Sequence, residues 1–284
     1  MMTSGRLLSF LSLSAAAALA PLNPLEAPQQ RISVGATQLP IALYVPEDDA
    51  IMEAMMARAH EAALAAGPER YDEVMEEYCT TQPQAYWAQV WPSAVALGRW
   101  LHDEPALVED RSVLELGAGL GLGSICAALA GAKHVVASDR EEDALLFASA
   151  NAAANECDAQ VATQRIDWEE EADQRQAQAA TDRGAEMAAP RYDVVLAADI
   201  VYDETAPPLL ARLLPALIVP GGTLLLADNA DRPYKAARRE ALISRLTTDG
   251  SFVARGEPRS ACVELRTRQG DEATIVLAAL ERCE

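Results

Sequence analysis

The sequence is short of basic residues, and this shortage excludes one broad class of function. Its 284 residues contain 23 Lys and Arg against 43 Asp and Glu, which gives a formal net charge of −20. Neutralising nucleic-acid phosphates requires clustered Lys and Arg, so we do not expect a nucleic-acid-binding protein. An acidic surface suits a basic protein partner, or serves solubility alone.

Long apolar runs and paired cysteines are also missing. After residue 25 no stretch reaches the roughly 18 continuous apolar residues of a membrane span, so no membrane-spanning helix is expected. The five cysteines are scattered, without a Cys-x-x-Cys pair or a Cys/His cluster. This pattern predicts neither a disulfide framework nor a zinc site, and a reducing compartment is the simpler interpretation.

Residues 1–25 contain no acidic residue and one basic residue, Arg6, which precedes an apolar stretch rich in Ser and Ala. Its ending, Ala18-Leu19-Ala20, fits the cleavage site of a secretory signal. The serines and the lack of acids also fit an organelle transit peptide. We therefore expect 1–25 to be a targeting segment for a mitochondrion or chloroplast, with the secretory route and a cytoplasmic location as alternatives.

The rest of the chain divides into two parts by its patterns. Residues 26–84 are expected to form a partly helical N-terminal extension, which begins in a Pro-rich stretch predicted to be irregular and continues in helices at 47–66 and 71–78. From residue 85 onwards strand and helix patterns alternate, which predicts a doubly wound α/β domain over 85–284. A charged, Ala-rich segment at 169–190 is expected to be a solvated helix or loop that is inserted in that domain.

The most informative stretch is Val113-Leu-Glu-Leu-Gly-Ala-Gly-Leu-Gly-Leu-Gly123. It predicts a buried strand, a glycine turn and then a helix, the first half of a nucleotide-binding unit. Glycines there adopt positive φ and let the backbone approach a ligand closely. The dinucleotide fingerprint G-x-G-x-x-G fails in both registers, because Leu122 or Ser124 stands where the third glycine is needed. A nicotinamide dehydrogenase is thereby disfavoured, and a glycine turn without a ligand is the remaining alternative.

Glu115 followed by Gly117, Gly119 and Gly121 resembles the first motif of the seven-strand S-adenosylmethionine-dependent methyltransferases. The resemblance implies that these residues and the intervening Ala118 bind the cofactor S-adenosylmethionine. It also implies a mostly parallel sheet that ends in an antiparallel C-terminal hairpin.

Asp139 closes the next predicted strand. Its distance from the glycine turn is about the spacing at which a carboxylate meets ribose hydroxyls in nucleotide-binding βαβ units. With the glycine turn in register, we predict that Asp139 binds the ribose of the cofactor. An ordinary loop aspartate is the alternative.

The stretch Tyr86-Trp-Ala-Gln-Val-Trp-Pro92 narrows the resemblance to one family. It is similar to the lysine methyltransferases related to the calmodulin-lysine, chaperone-lysine and electron-transfer flavoprotein β-subunit enzymes. In that family a tryptophan at the position of Trp91 lies against the cofactor. The pair Asp167-Trp168 is implied to hold the adenine, and an aromatic beside a flat base is physically sensible. Burial in the apolar core is the alternative for both tryptophans.

Asp199 and Tyr202 follow a strand that is apolar on both faces, as a central parallel strand should be. Open α/β sheets bind ligands at the carboxyl ends of such strands. The D-x-x-Y pattern resembles the substrate-side motif of the family, which implies that Ala198 contacts the cofactor and that Asp199 and Tyr202 are catalytic. A carboxylate orients an amine, and a phenol positions its nitrogen. Alternatively, Asp199 caps the next turn and Tyr202 is a rim aromatic.

One segment departs from the family pattern. Where the flavoprotein enzyme has an Asp-Pro-Gly-Arg segment, this chain has Asn229-Ala-Asp-Arg-Pro-Tyr234, in which Arg232 alone matches. The resemblance implies methyl transfer from S-adenosylmethionine to a protein lysine, and the departure leaves the identity of that protein open. Small-molecule N-methylation and a non-catalytic cofactor-binding protein are the alternatives, because a fold does not fix a function.

Overall fold

The computed structural model describes residues 22–81, 85–180, 190–267 and 270–284. The described residues form two compact units. One comprises those up to Pro28 and from Pro46 to Tyr86; the other comprises Gln29–Val45 and Trp87–Glu284. Most of the predicted targeting segment lies outside the described residues. Within the part of the chain that is described, no helix has the length and apolar character needed to cross a membrane.

The smaller unit contains two helices, α1 (Asp48–Ala66) and α2 (Tyr71–Thr81), which pack against each other. Both were predicted. Gly67 ends α1 with a φ of +91°, a conformation that L side chains rarely adopt. His60 Nδ1 lies 2.6 Å from the Tyr71 hydroxyl oxygen, a hydrogen bond that joins α1 to the start of α2.

The Pro-rich stretch, Pro21 to about Pro40, was predicted to be irregular, and from Gln29 onwards that prediction is wrong. The chain there forms an antiparallel hairpin of β1 (Gln29–Val34) and β2 (Leu39–Tyr44). Alternate residues such as Ile32 and Ile41 are buried in the apolar core of the larger unit, to which the hairpin belongs. The short alternation of buried and exposed residues was hard to recognise, because prolines precede, follow and interrupt it.

Two asparagines, one within the helix Glu142–Ala154 of the larger unit and one immediately after it, bind the hairpin. The Asn151 amide accepts from the Tyr44 N–H at 2.6 Å and donates to the carbonyl oxygen of Leu120 in the glycine turn at 2.9 Å. The Asn155 amide accepts from the Ala42 N–H at 3.0 Å and donates to the Ala42 carbonyl at 2.7 Å. These side chains satisfy backbone groups of β2 as a neighbouring strand would.

The rest of the larger unit alternates helices and strands from Pro92 onwards, as predicted. In chain order they are α3 (Pro92–Asp103), β3 (Ser112–Leu116), α4 (Leu122–Leu129), β4 (His134–Asp139), α5 (Glu142–Ala154), β5 (Val161–Arg165), α6 (Trp168–Ala180), β6 (Tyr192–Ala198), α7 (Ala206–Leu217), β7 (Ile218–Asn229), α8 (Pro233–Thr248), β8 (Phe252–Ala254), β9 (Arg259–Thr267) and β10 (Gly270–Arg282).

The sheet has the order β5-β4-β3-β6-β7-β10-β8, with β9 also paired to β10. Strands β3 to β7 are parallel, whereas β10 is antiparallel to β7, β8 and β9. This confirms the doubly wound, mostly parallel sheet with an antiparallel C-terminal hairpin. The chain runs outwards from β3 to β5 and then returns to β6. The crevice between β3 and β6 is where such folds bind ligands.

Two apolar layers cover the sheet. Residues of β3 alternate between them, with Val113 in one layer and Leu114 in the other. The first layer contains Leu97 and Ile125 from helices α3 and α4, and the second contains Leu210 from α7. Helices therefore bury both faces of the sheet, and polar residues are left to gather at the strand ends.

The segment predicted as a solvated helix or loop begins with α6, a crossover helix whose described side chains are mostly exposed. Ala172 is buried, and the Arg175 guanidinium lies 2.6 Å from a Glu171 carboxylate oxygen. Arg175 also donates to the carbonyl oxygens of Ala216 at 2.8 Å and Pro190 at 3.1 Å. The polar composition of α6 concealed this packing, because its contacts are made by a charged side chain. Residues 181–189 of the segment lie outside the described residues.

Candidate active site

The glycine turn follows β3 and depends on the absence of side chains. Gly117, Gly119 and Gly121 have φ values of +63°, +52° and +81°. A Cβ atom on Gly119 would lie 3.0 Å from the carbonyl oxygen of Trp87, and one on Gly121 would lie 3.0 Å from the Cβ of Ala148. Gly121 is therefore needed for packing against α5, and Gly119 is needed where the turn meets the Trp87 backbone.

Glu115 is buried beneath this turn. One of its carboxylate oxygens accepts from the Ser124 N–H at 2.7 Å and from the Ser124 hydroxyl at 2.6 Å. Burial raises the pKa of Glu115 to about 7, although the bonds from Ser124 oppose that rise. The Glu115 side chain thus ties β3 to the first turn of α4.

Asp139 links the end of β4 to the glycine turn. Its Oδ2 atom accepts from the Gly119 N–H at 3.0 Å, and its Oδ1 atom accepts from the Glu141 N–H at 3.1 Å. Burial raises the pKa of this carboxyl. Each carboxylate oxygen can accept a further hydrogen bond, so these backbone contacts leave capacity for ligand hydroxyls.

Asp167 and Trp168 lie where β5 passes into α6. Asp167 Oδ1 accepts from the Glu169 N–H at 3.0 Å, which satisfies a free donor at the start of the helix. The ring centroid of Trp168 lies 6.2 Å from that of Tyr202, with the planes tilted by 42°. An indole from one crossover therefore stands beside a phenol from the next.

Tyr202 lies close to the charged groups on the neighbouring strand ends. Burial raises the pKa of its phenol, and the charges of Arg140, Asp139 and Asp167 also act on that pKa. Tyr202 is 42% exposed, so this group of side chains is open to solvent at Tyr202. The predicted residues of β4, β5 and β6 thus share one edge of the sheet.

Asp199 follows Ala198, the last residue of β6, and has an unusual backbone and an unexpected partner. Its φ is +61°, and its N–H donates to the Ala227 carbonyl at 2.9 Å. Its Oδ1 atom pairs with the ammonium of Lys235 on the first turn of α8. The side chains of Asp199 and Lys235 are only 7% and 5% exposed, so the pair is buried.

Further charges surround this pair. Asp228, near the end of β7, is fully buried, and its Oδ2 atom lies 3.4 Å from Nη1 of Arg239. Burial, and then the neighbouring Asp199 carboxylate, raise the pKa of Asp228. The Lys235 ammonium lies 5.8 Å from the ring centroid of Trp91, at the start of α3. We call Asp199, Asp228, Lys235 and Arg239 the buried charge cluster.

The structure separates the predicted site residues into three groups. Glu115 lies beneath the glycine turn and Gly121 lies where the turn packs against α5, so both support the turn. Trp91 lies beside the buried charge cluster. The others lie at the carboxyl ends of the parallel strands: Gly117, Ala118, Gly119, Asp139, Asp167, Trp168, Ala198, Asp199 and Tyr202.

Sequence reasoning missed three members of the buried charge cluster. Asp228 was visible as an acid closing a predicted strand next to that of Asp199, which is a usable signal. Lys235 and Arg239 are four residues apart and therefore share a helix face. Nothing in the local pattern indicated that this face would turn inwards.

Comparison with known proteins identifies the family. A sequence model of the family described as Lysine methyltransferase matches residues 80–235, which is more than half of the chain. The chain belongs to this family. The resemblance inferred from the glycine turn, the Trp-Pro lead-in and the D-x-x-Y pattern is thus confirmed.

Two relatives illustrate the range of this lysine methyltransferase family. The electron transfer flavoprotein beta subunit lysine methyltransferase of Mus musculus is 31% identical over 149 residues, covering 52% of this chain and 51% of that protein. A protein-lysine N-methyltransferase of Chaetomium thermophilum is 33% identical over 144 residues, covering 49% of this chain and 41% of that protein. The matches therefore span about half the length of these relatives or less.

Among solved structures, the O-methyltransferase from Bacillus cereus is 14% identical, with 84% of this chain and 93% of that chain covered at a TM-score of 0.45.

Proposed function

We propose that this protein transfers a methyl group from S-adenosylmethionine to the side-chain nitrogen of a lysine in a protein substrate. One observation carries the proposal. In a chain of the lysine methyltransferase family, the strand ends gather a glycine turn, Asp139, Trp168, Asp199 and Tyr202 at one edge of the sheet. The names of the relatives, which specify protein lysine as the acceptor, support the choice of substrate class.

The residues at this edge suit the proposed cofactor. The positive φ values of Gly117 and Gly119 expose backbone where a side chain would intrude. Asp139 retains acceptor capacity for ribose hydroxyls, and Asp167 with Trp168 offers a carboxylate and an indole to a purine. When bound, S-adenosylmethionine supplies an electrophilic methyl group on a sulfonium sulfur.

Two of the residues predicted to bind the cofactor act differently in this proposal. The Glu115 carboxylate is engaged by Ser124, and Gly121 is closed off by Ala148. We assign both to positioning the turn rather than to contact with the cofactor. Trp91, Ala118 and Ala198 remain proposed cofactor contacts. The proposed methyltransferase domain is the larger compact unit, and an organelle location is supported by residues 1–25 alone.

The acceptor amine needs a free lone pair and a fixed direction. A lysine ammonium has no lone pair, so one proton must leave before transfer. In this proposal the Asp199 carboxylate orients the remaining N–H bonds and stabilises positive charge as it forms on the nitrogen. Tyr202 and Trp168 narrow the open side of the site, which favours alignment over strong base catalysis.

The proposal is tested by incubating the full chain with methyl-labelled S-adenosylmethionine and an extract of its own cells, resolved by size. We expect a discrete labelled protein band, lost with Asp199→Asn. Asp193→Asn serves as the matched control, because Asp193 lies at the opposite end of β6 and accepts from Ser112.

Three outcomes are informative in that experiment. A labelled band that Asp199→Asn abolishes and Asp193→Asn preserves supports the proposal. Label confined to the small-molecule fraction would replace it with small-molecule N-methylation. Cofactor binding by calorimetry without any transfer would make the protein a non-catalytic cofactor-binding protein.

A further inference from the structure

Lysine is rare in this chain, and its placement is uneven. The sequence contains 23 Lys and Arg, but only Lys133 and Lys235 are lysines. Lys133 is exposed in the turn before β4, whereas Lys235 is buried on the first turn of α8. One of two lysines in a protein of a lysine methyltransferase family therefore lies within its candidate active site.

The Lys235 ammonium has the surroundings that the proposed mechanism assigns to a substrate. It pairs with Asp199 Oδ1, the carboxylate proposed to orient the acceptor amine. It also lies 5.8 Å from the ring centroid of Trp91, a proposed cofactor contact. Both residues were chosen from sequence motifs that do not include Lys235. Three separate elements, β6, α3 and α8, thus converge on this one nitrogen.

The competing explanation is that Lys235 and Asp199 form a purely structural ion pair. That explanation does not account for the choice of lysine over arginine at position 235. Arginine suits buried pairing with carboxylates better than lysine, because its planar fork makes two bonds and is more weakly hydrated. The chain uses arginine for the other buried cation of the cluster, Arg239, which faces Asp228. Within the buried charge cluster, lysine is used only where its nitrogen meets Asp199. An amine, unlike a guanidinium, can accept a methyl group after losing a proton.

We propose that Lys235 is itself a methyl acceptor, so that the protein methylates its own active-site lysine when no protein substrate is bound. This inference rests on the proposed function. The ammonium first loses one proton to solvent; a bond from Nζ to the methyl carbon then forms as the sulfur–methyl bond breaks. S-Adenosylmethionine leaves as S-adenosylhomocysteine. The methylated nitrogen keeps its positive charge, so its ion pair with Asp199 persists.

The test uses the purified full chain with methyl-labelled S-adenosylmethionine and no other protein, followed by peptide mass spectrometry. We expect a methyl group on Lys235 and none on Lys133. The labelled fraction at a given time should not change when the protein is diluted, because transfer occurs within one molecule. Protein taken directly from expression is mapped as well, since methylation of Lys235 before purification is the same result.

The two lysines provide their own controls. Lys235→Arg keeps a cation for Asp199 and should lose the label completely, while Lys133→Arg should label as the parent does. Asp199→Asn should lower labelling of Lys235 by about tenfold or more. Thermal unfolding of each variant shows whether lost labelling reflects a lost fold.

Failure of this inference is separable from failure of the proposed function. If Lys235 stays unmodified in a sample that binds the cofactor and labels a protein in the extract, self-methylation is overturned and the proposed function stands. If the chain neither binds the cofactor nor labels any protein, both fall. Label on Lys133, or labelling that rises with protein concentration, also overturns methylation within one molecule.

Discussion

The two halves of the candidate site satisfy their carboxylates in different ways. At the glycine turn, Glu115 accepts from Ser124, and Asp139 accepts from the N–H of Gly119. In the buried charge cluster, Asp199 instead meets the ammonium of Lys235. The first half is built from neutral donors that come with the local motif. The second half is built from charges delivered by a separate helix.

This difference predicts how each half fails. A turn held by backbone donors is disrupted when an added side chain displaces the backbone, and the main consequence is weaker ligand binding. A buried ion pair fails when one partner is removed, because the remaining charge is left without compensation. The turn should therefore respond mainly in cofactor affinity and the cluster mainly in stability and turnover.

The largest effect is expected from Gly119→Arg. The substitution forces a side chain into positive φ beside the carbonyl oxygen of Trp87, so binding of S-adenosylmethionine should fall below detection by calorimetry. Gly256→Arg is the matched control, because Gly256 has a φ of +78° with no atom within 4 Å of a Cβ. Unchanged affinity in Gly119→Arg would remove the glycine turn from the site.

Asp199→Ala should lower the free energy of unfolding by about 3–5 kcal/mol, because it removes the carboxylate that pairs with the buried Lys235 ammonium. Turnover should fall about tenfold or more while cofactor affinity changes little. Chemical denaturation and kinetics measure these separately. The double variant Asp199→Ala/Lys235→Met should recover stability without recovering turnover. Recovery of both would make Asp199 purely structural.

Glu115→Gln should change the pH dependence of stability. Burial raises the pKa of Glu115 from 4.5 to about 7, so the folded state favours the protonated form. The stabilisation from this group is therefore present below about pH 4.5 and is lost as pH rises to about 7. Gln cannot ionise, so across that window the variant should gain on the order of 3 kcal/mol relative to the parent. Urea unfolding on both sides of the window measures this gain, and a pH-independent difference would contradict it.

Arg175→Ala should have the smallest effect of the four. The substitution removes the guanidinium that pairs with Glu171 and donates to two carbonyl oxygens. The free energy of unfolding should fall by about 1–3 kcal/mol, and cofactor affinity should not change. Arg165→Ala is the control, because its ion pair with Glu170 is exposed and should contribute less than about 1 kcal/mol. If the two substitutions lowered stability equally, Arg175 would contribute no more to the packing of α6 than an exposed ion pair does.

The same comparison explains what the sequence predicts and what it does not. The parallel strands and the glycine turn were predicted because their signals are local: an apolar run, then glycines at fixed spacing. Asp139, Asp199 and Tyr202 were found because they follow such strands. The partner of Asp199 was not found, because Lys235 is 36 residues away and its orientation depends on how α8 packs.

One element outside the site was missed, and the packing contacts of another were not predicted, for related physical reasons. The β1–β2 hairpin contains proline, and its buried residues alternate over only a few positions. Helix α6 is polar, and its packing relies on Arg175 rather than on an apolar stripe. In both cases the contacts that stabilise the element come from distant parts of the chain, which short-range periodicity does not report.

The hairpin also determines where the chain can be cut. The chain leaves the larger unit at Val45 and returns to it at Trp87, so in connectivity helices α1 and α2 are inserted between the hairpin and the rest of the larger unit. A fragment beginning at residue 85 would leave Asn151 and Asn155 without the backbone of β2, and it would uncover apolar surface. A shortened protein should therefore retain Gln29–Val45 and replace the inserted helices with a linker. Truncation at the edge of the recognisable family motifs would remove part of the folding unit itself.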